Sequence, residues 1–280
     1  MNTTSQTSSP APVLKWAGGK RRLLSQYATH FPHEFGSYYE PFVGGGAVFF
    51  WLYGQGHLHN KRVVLNDINP ELVNFYRVLT EQCEELIERM RSHRKRHGQE
   101  YYYKVRSKDH RRMKPVNRAA RLLYLNRTCF NGLYRVNSKG QFNVPMGRYK
   151  NPMICDEDGL RAASAALGQG DLSLGSFAEC VKPAQEGDLV YFDPPYVPLN
   201  PTSSFTSYTK ENFSQRDQEE LAQTFAELAA RGVKVLLSNS DTQLVRELYR
   251  DFQQHQIMAP RAINSRADRR QKVSELLIES

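Results

Sequence analysis

A run of four residues, Asp193-Pro194-Pro195-Tyr196, carries the groups needed to act on an amino group attached to an aromatic ring. The run directly follows an apolar strand candidate, 189–192, and ligands of open α/β sheets bind at the carboxyl ends of strands. The Asp193 carboxylate and the Pro194 backbone carbonyl can each accept one hydrogen of the amino group. This pairing favours a tetrahedral nitrogen and frees its lone pair for attack on a methyl sulfonium. Tyr196 offers a ring on which a flipped-out base can stack.

A glycine-rich segment, EPFVGGG at 40–46, follows the first strand candidate, 37–40. The glycines begin at Gly44 and let the backbone approach a ligand closely, since they carry no side chain. Glu40 and Phe42 stand just before them. A phosphate-binding loop is the alternative interpretation, but no Lys-Ser or Lys-Thr pair follows, which disfavours a nucleoside triphosphate.

Asp67 follows the second strand candidate, 62–65. It stands roughly twenty residues after the glycines, which is the typical spacing of an acid that binds ribose. A carboxylate there accepts the ribose hydroxyls of a bound nucleoside, and a helix-capping role is the alternative. The three motifs end three strand candidates in the order that such a binding site requires. Their combination favours the ligand-binding interpretation of all three.

The segments between the motifs alternate between strand and helix patterns, which predicts an α/β sheet. Asn69 is the expected N-cap of one helix, with Pro70 at its first position, and Ser214 is the expected cap of a later helix. The remaining elements that matter here are a helix at 20–31, strands at 233–238 and 188–192, and a final antiparallel pair at 256–264 and 272–278. We therefore predict one α/β domain with a second module inserted into it.

The inserted module is strongly basic, and the rest of the chain is not. Between Arg89 and Lys150 there are 18 lysines and arginines but only two acids, Glu100 and Asp109, although the whole chain has a net charge of +9. The basic residues are interleaved with aromatic ones: Tyr101, Tyr102, Tyr103, Tyr124, Phe130, Tyr134 and Tyr149. This mixture is typical of a surface that binds a polyanion such as nucleic acid.

Composition excludes several other classes of protein. No apolar run of about 18 residues is present, so no membrane span is expected. Residues 1–12 lack the pattern of a signal peptide and are predicted to be a flexible tail. Four cysteines without paired spacing give neither a zinc pattern nor a disulfide framework, which favours the reducing cytoplasm. They are Cys83, Cys129, Cys155 and Cys180.

Taken together, these residues resemble those of the Dam-type DNA adenine-N6 methyltransferases, which belong to the alpha group of the D12 class. The resemblance covers nearly the whole chain after position 12. It rests on six segments: LKWAGGK at 14–20, EPFVGGGAVF at 40–49, LNDINPELVNFY at 65–76, LNRTCFNGLYRVNSKGQFNVPMGRYKNP at 125–152, DPPY at 193–196 and LSNSDT at 237–242. It implies a Rossmann-like, mostly parallel sheet with an antiparallel last strand, formed by 13–77 and 151–280. The insertion, 78–150, would be a mainly helical DNA target-recognition domain.

The resemblance also implies a cofactor, S-adenosyl-L-methionine, and the residues that bind it. Its site would be lined by Trp16, Lys20, Asp67 and Asp193, with Phe42 and Phe177 packed around the cofactor and Glu40 and Gly44 in the glycine-rich segment. Catalysis would belong to Asp193, Pro194 and Tyr196 by direct in-line transfer. No metal is implied.

The same resemblance assigns DNA contacts in a 5′-GATC target of double-stranded DNA. Lys15 and Arg135 match positions that contact guanines, and long cationic side chains suit guanine edges in the major groove. Leu133 and Pro145 match apolar contacts near the thymine. Phe130 matches the ring that wedges into the duplex beside the flipped adenine, where some relatives have tyrosine. The neighbouring residue, Asn131, would shape this loop or touch phosphate.

Other activities fit the residues to different degrees. A cytosine-C5 methyltransferase needs a nucleophilic cysteine, usually after proline, and no cysteine here follows a proline. A cytosine-N4 enzyme, and an adenine methyltransferase of a restriction-modification system with another target, stay open. The DNA-reading loop argues against an RNA methyltransferase, and the cofactor residues argue against a DNA-binding protein without catalysis. We expect a monomer, with a cognate restriction endonuclease as a possible partner.

Overall fold

Seven strands form one mixed sheet in the part of the chain that the computed structural model describes, residues 9–197, 213–259 and 273–280. The strands are β1 (Tyr38–Glu40), β2 (Val63–Asp67), β3 (Gly170–Leu174), β4 (Leu189–Phe192), β5 (Lys234–Ser240), β6 (Gln253–Ala259) and β7 (Val273–Glu279). Their order is β3-β2-β1-β4-β5-β7-β6. The first five strands are parallel, and β7 is antiparallel to both β5 and β6. The prediction of a mostly parallel sheet with an antiparallel end is confirmed.

The centre of the sheet is buried on both faces, which explains why its strands are continuous apolar runs. All four residues of β4 are buried, with Leu189 and Tyr191 packed in one core cluster and Val190 and Phe192 in another. The strand order reverses between β1 and β4, since β2 lies on the far side of β1. Ligands of such sheets bind at the carboxyl edge next to this reversal. Glu40 and Asp193 stand at the carboxyl ends of these two strands.

Ten α-helices accompany the sheet within the described ranges. They are α1 (Leu24–Tyr27), α2 (Ala47–Gly54), α3 (Pro70–Glu81), α4 (Cys83–Arg96), α5 (Gln99–Arg106), α6 (Pro115–Thr128), α7 (Glu157–Leu167), α8 (Phe177–Val181), α9 (Gln215–Ala230) and α10 (Gln243–Leu248). The predicted caps are present: the Asn69 side chain accepts a hydrogen bond from the Glu71 N–H at 3.0 Å, and Ser214 forms a capping box with Asp217.

The single helix predicted over 20–31 is wrong. This stretch consists of a 3-10 turn at Lys20–Arg22, the short α1 and a second 3-10 turn at Ala28–His30. Two features explain the break: the residue before the first turn, Gly19, offers no capping side chain, and Lys20 is buried instead of lying on a solvent face. The long Lys20 side chain points into the pocket described below.

The basic stretch is built on helices that pack against the sheet domain. Most of α6 is buried because α3, α4 and α5 all pack against it. Position 78, the predicted start of the inserted module, lies inside α3, and Leu72 and Leu79 share a core cluster with Leu122 and Leu125 of α6. The domain boundary therefore stays a prediction.

After α6 the chain forms an irregular hairpin, as the turn-rich pattern of 131–144 predicts. Antiparallel bridges pair Val136 with Phe142 and Cys129 with Met146. Of the predicted terminal strand pair, 260–264 and residue 272 lie outside the described residues, as do the first eight residues of the tail and the segment 198–212. None of the helices in the described ranges has the length and apolar character required to cross a membrane.

Candidate functional site

Asp193 is held from two sides at the carboxyl end of β4. The Lys20 ammonium lies 2.6 Å from Asp193 Oδ1, and the Ser238 hydroxyl donates to the same oxygen at 2.9 Å. Burial raises the pKa of the Asp193 carboxyl, and the charge of Lys20 opposes that rise. Both contacts go to Oδ1, so Oδ2 is the oxygen that the described residues leave available to a substrate.

Lys20 is a structural centre of this pocket. Its side chain is 2% exposed, and its ammonium also donates to the Gly18 carbonyl at 2.6 Å. It lies 4.6 Å from the ring centre of Tyr196, within the range of a cation–π contact. The single lysine therefore fixes both the carboxylate of Asp193 and one face of the Tyr196 ring.

Tyr196 is anchored at its hydroxyl as well as at its ring. The hydroxyl donates to Glu275 Oε2 at 2.7 Å, which ties the end of the Asp193 motif to β7. Burial raises the pKa of Glu275, and it raises the pKa of Tyr196 well above its ordinary value. Nothing near Glu275 in the sequence marks it as part of this site, because the antiparallel strand β7 brings it here.

The backbone between Pro195 and Val197 is held by two buried amides. Gln218 Nε2 of α9 donates to the Pro195 carbonyl at 3.0 Å, and the Val197 N–H donates to Asn239 Oδ1 at 3.3 Å. The two amides are themselves joined, with Asn239 Nδ2 donating to Gln218 Oε1 at 3.1 Å. The segment 237–242 thus supports the site through Ser238 and Asn239, and the motif alone could have suggested them.

Asp67 at the end of β2 organises the glycine-rich segment. Its two carboxylate oxygens accept from the Gly44 N–H at 3.1 Å and from the Asn69 N–H at 2.8 Å. Burial raises the pKa of Asp67 to about 6. Asn69 is the residue that caps α3, so Asp67 is not itself the cap. One oxygen of Asp67 accepts from the N–H of that cap residue, and the other faces the glycine-rich segment.

Trp16 packs directly on the glycines. Gly44 has φ +48°, and a Cβ placed there would lie 3.1 Å from Trp16 Cδ1. A side chain at this position would therefore be strained and crowded at once. The indole also stacks on Tyr134 of the hairpin, with ring centres 5.1 Å apart. Trp16 thus touches both the glycine-rich segment and the basic module.

Glu40 is a carboxyl group in an almost fully buried position. It is 2% exposed and accepts a hydrogen bond from the Tyr38 hydroxyl at 2.8 Å. Burial raises the pKa of Glu40 to about 8, and the nearby charge of Asp193 contributes to the rise. A positively charged ligand in this pocket would favour the ionised form of Glu40.

The aromatic side chains Phe42 and Phe177 lie together, with ring centres 5.4 Å apart in a stacked arrangement. Phe192 and Phe213 complete the cluster, at 6.2 and 5.8 Å from Phe42. Nothing in the sequence around Phe213 marks it as a member of this cluster. Ile68, directly after Asp67, is an apolar residue that is 60% exposed.

The residues predicted to contact DNA are brought together by a buried amide. Asn126 Oδ1 accepts from the Lys15 N–H at 2.8 Å, while its Nδ2 donates to the carbonyls of Lys15 at 2.7 Å and Gly132 at 3.0 Å. The Lys15 side chain covers Gly132 so closely that a Cβ there would clash with it. Its ammonium lies 5.0 Å from the ring centre of Tyr149.

The other predicted DNA contacts lie on the hairpin or at its start, and they differ in exposure. Phe130 is 50% exposed, and the next residue, Asn131, has φ +55°. The Phe130 N–H donates to the Pro145 carbonyl at 2.9 Å, so the two strands of the hairpin meet there. Arg135 is exposed and donates to Asn143 Oδ1 at 2.8 Å. Leu133 is half-buried, and Pro145 is exposed.

The sheet order and the polar side chains at its carboxyl edge are the arrangement in which open α/β sheets bind ligands. Residues 16–263 match a described family, and the chain belongs to it: the D12 class N6 adenine-specific DNA methyltransferases. The protein is therefore an adenine-specific DNA methyltransferase.

Individual relatives agree with this assignment. The chain is 46% identical over 273 residues to the Type II methyltransferase M1.LlaDCHI of Lactococcus lactis subsp. cremoris, covering 95% of this chain and 94% of that protein. It is 44% identical over 284 residues to the Type II methyltransferase M.MjaIII of Methanocaldococcus jannaschii, covering 95% and 98%. It is 37% identical over 266 residues to the DNA adenine methylase of Escherichia coli K12, covering 94% and 93%.

Proposed function

We propose that this enzyme transfers the methyl group of S-adenosylmethionine to N6 of the adenine in 5′-GATC, in double-stranded DNA and after flipping the base out of the helix. The observation that supports this most directly is the state of Asp193. Lys20 and Ser238 hold its Oδ1, and none of the residues that the structure describes takes its Oδ2, which can accept a hydrogen bond from a substrate.

The pocket suits S-adenosylmethionine in three respects. Asp67, beside the Gly44 N–H, is placed to accept ribose hydroxyls. The stacked pair Phe42 and Phe177 offers apolar surface, and Glu40 offers a buried carboxyl for a positively charged ligand. When bound, this ligand supplies an electrophilic methyl group on a positively charged sulfur.

Catalysis by the protein is then mainly orientation of the amino group. Asp193 Oδ2 and the Pro194 carbonyl each accept one N–H, which localises the nitrogen lone pair. Lys20 keeps Asp193 an acceptor, since its positive charge opposes the effect of burial on the pKa of that carboxyl. The ring of Tyr196, fixed by Lys20 and Glu275, stacks on the flipped base. The methylated nitrogen is acidic and releases its proton without a strong base.

We propose that the basic module, 78–150, is the target-recognition domain. Lys15 and Arg135 contact guanines, and Leu133 and Pro145 contact the thymine methyl region. Phe130 enters the duplex beside the flipped adenine, which its 50% exposed ring supports. Asn131 then lies next to the DNA backbone and shapes the loop.

A second candidate is an adenine methyltransferase that protects DNA from a cognate restriction endonuclease and has another target. The names of the relatives favour considering it, because two proteins at 46% and 44% identity are called type II methyltransferases. The relative called DNA adenine methylase is 37% identical. The two candidates share the chemistry and differ in recognition sequence and partner.

One experiment tests both candidates. The protein is expressed in a host that lacks DNA methylation, and modified bases are mapped over the whole genome. N6-methyladenine confined to GATC is the expected result. Methyladenine in a different sequence favours the second candidate, and methylcytosine or no new modification contradicts the proposal.

A further inference from the structure

Two histidines and a glutamate converge at the edge of the sheet, away from the Asp193 motif. His30 ends the 3-10 turn Ala28–His30, His255 lies on β6 and Glu279 lies at the end of β7. One potential ligand atom from each of the three lies within 4.8 Å of the others, and among the described residues this is the group that has such geometry. The three side chains are half-buried.

The sheet register places these groups on one face. His255 pairs with Leu277, and Glu279 stands two residues further along β7, so their side chains point to the same side. The ring of His30 lies over that face, with its centre 4.2 Å from the ring centre of His255. His30 Nδ1 is 3.4 Å and His255 Nε2 is 3.2 Å from Glu279 Oε2.

Hydrogen bonding alone leaves this cluster incomplete. His255 Nε2 is buried, and among the described residues it has no partner with hydrogen-bond geometry, although Glu279 Oε2 is close. Buried polar atoms in native proteins nearly always have a bonding partner. A ligand that accepts the lone pair of His255 Nε2 would supply one. A metal ion placed among the three atoms would do this.

We propose that His30, His255 and Glu279 bind a divalent transition-metal ion of the zinc class. Two imidazole nitrogens and one carboxylate are a known zinc ligand set, with a water as the fourth ligand. Mg²⁺ and Ca²⁺ are disfavoured because they prefer oxygen ligands, and the cluster supplies a single carboxylate.

The ion would be structural. Glu275, which anchors the Tyr196 hydroxyl, is on the same face of β7 as Glu279 and about 13 Å away, four residues along the strand. His30 follows closely after α1, since only two residues stand between it and Tyr27, the last residue of that helix. A metal bridge would therefore tie the segment after α1 to the β6–β7 pair that supports the stacking tyrosine. It would take no part in methyl transfer.

The test uses the full chain without a polyhistidine tag, treated with EDTA and exchanged into metal-free buffer. Calorimetric titration with ZnCl₂ should show one saturable site per chain, and titration with MgCl₂ should not. At a Zn²⁺ concentration one hundred times the Kd, Tm should rise by roughly 5 °C.

Substitutions on two different elements decide whether the site is this one. H255Q and H30Q should each weaken Zn²⁺ binding by roughly tenfold or more, which should reduce the Tm shift at the same Zn²⁺ concentration to about half or less. The matched control is H33Q, which replaces an exposed histidine near the same turn and should bind Zn²⁺ as the unmodified chain does. Circular dichroism checks that each variant is folded. If H255Q does not fold, the comparison of H30Q with H33Q tests the site. No saturable Zn²⁺ site, or equal binding by H30Q and H33Q, would overturn the proposal.

Discussion

The pocket at the carboxyl edge of the sheet and the hairpin after α6 differ in how far their polar and aromatic side chains are buried. In the pocket, polar side chains such as Lys20 and Glu40 are 2% exposed, and each has a defined partner. On the hairpin, Phe130 is 50% exposed, and Arg135 reaches solvent with one neighbouring amide as its partner. One region is held before any ligand arrives, and the other presents its side chains outward.

This difference follows from what each region has to do. Orienting an amino group requires acceptors that do not reorganise during the reaction, so the protein itself must hold them. Reading base edges requires side chains that replace their water with DNA, so they must be accessible beforehand. The two regions meet at Asn126 and Trp16, where the hairpin is tied to the sheet domain.

The largest effect is expected in the pocket. Asp193→Ala removes the acceptor for the amino group and should reduce kcat by roughly a thousandfold or more, by analogy with the loss of other transition-state hydrogen bonds. Single-turnover methylation of a duplex oligonucleotide measures it. Asp158→Ala, at an 85% exposed aspartate, is the control and should keep full activity. A folded Asp193→Ala enzyme with nearly normal activity would contradict the assigned role.

The next effect concerns the connection between the two regions. Asn126→Ala leaves the Lys15 N–H and two carbonyls without their buried partner, which should cost about 3 kcal/mol of unfolding free energy. DNA affinity should fall as well, because Lys15 and the hairpin lose their common anchor. Urea denaturation and fluorescence anisotropy measure the two effects, with exposed Asn151→Ala as control. Unchanged values in both assays would show that the anchor is unnecessary.

A smaller effect is expected on the exposed side of the comparison. Arg135→Ala should relax discrimination at one base pair by about 1–3 kcal/mol while leaving the pocket intact. Methylation rates on target duplexes with single substitutions measure the discrimination. Lys139→Ala, on the same hairpin, should reduce binding without changing sequence preference. Equal selectivity in the Arg135→Ala and unmodified enzymes would count against base reading by this arginine.

Much of this comparison could be predicted from the sequence where the signal is local. Asn69 and Ser214 were predicted as caps because capping depends on residues two or three positions apart. The positions of Asp67 and Asp193 at strand ends followed from apolar runs that stop at a turn. The alternation of such runs with helix patterns predicts an α/β sheet, while its mostly parallel order with an antiparallel last strand is what the family resemblance implies.

Two other supports, Glu275 and Asn126, could not be predicted, because each joins distant segments. Glu275 reaches Tyr196 across 79 positions, and Asn126 reaches Lys15 across 111. No pattern within either segment marks such a contact. The broken helix after Gly19 had the same cause, since the burial of Lys20 depends on Asp193, far along the chain.

The smallest effect expected is a change in pH dependence caused by Glu40. Its pKa of about 8 lies above its ordinary value of 4.5, so between these values the folded state holds a proton that the unfolded state has released. Stability must then fall as pH rises from about 5 to about 8, with a slope of at most about 1.4 kcal/mol per pH unit. Asp67, with a pKa of about 6, contributes with the same sign at lower pH.

Glu40→Gln isolates this contribution, since glutamine can still accept the Tyr38 hydroxyl but has no proton to lose. The unfolding free energy is measured in urea between pH 6.5 and 8. This range lies above the pKa of Asp67, so most of the change within it comes from Glu40. The unmodified chain should lose stability over this range, and the Glu40→Gln chain should lose less. If the unfolding free energies of the two chains fell in parallel with pH, Glu40 would already be ionised in the folded state. The pocket would then be more accessible to water than its contacts indicate.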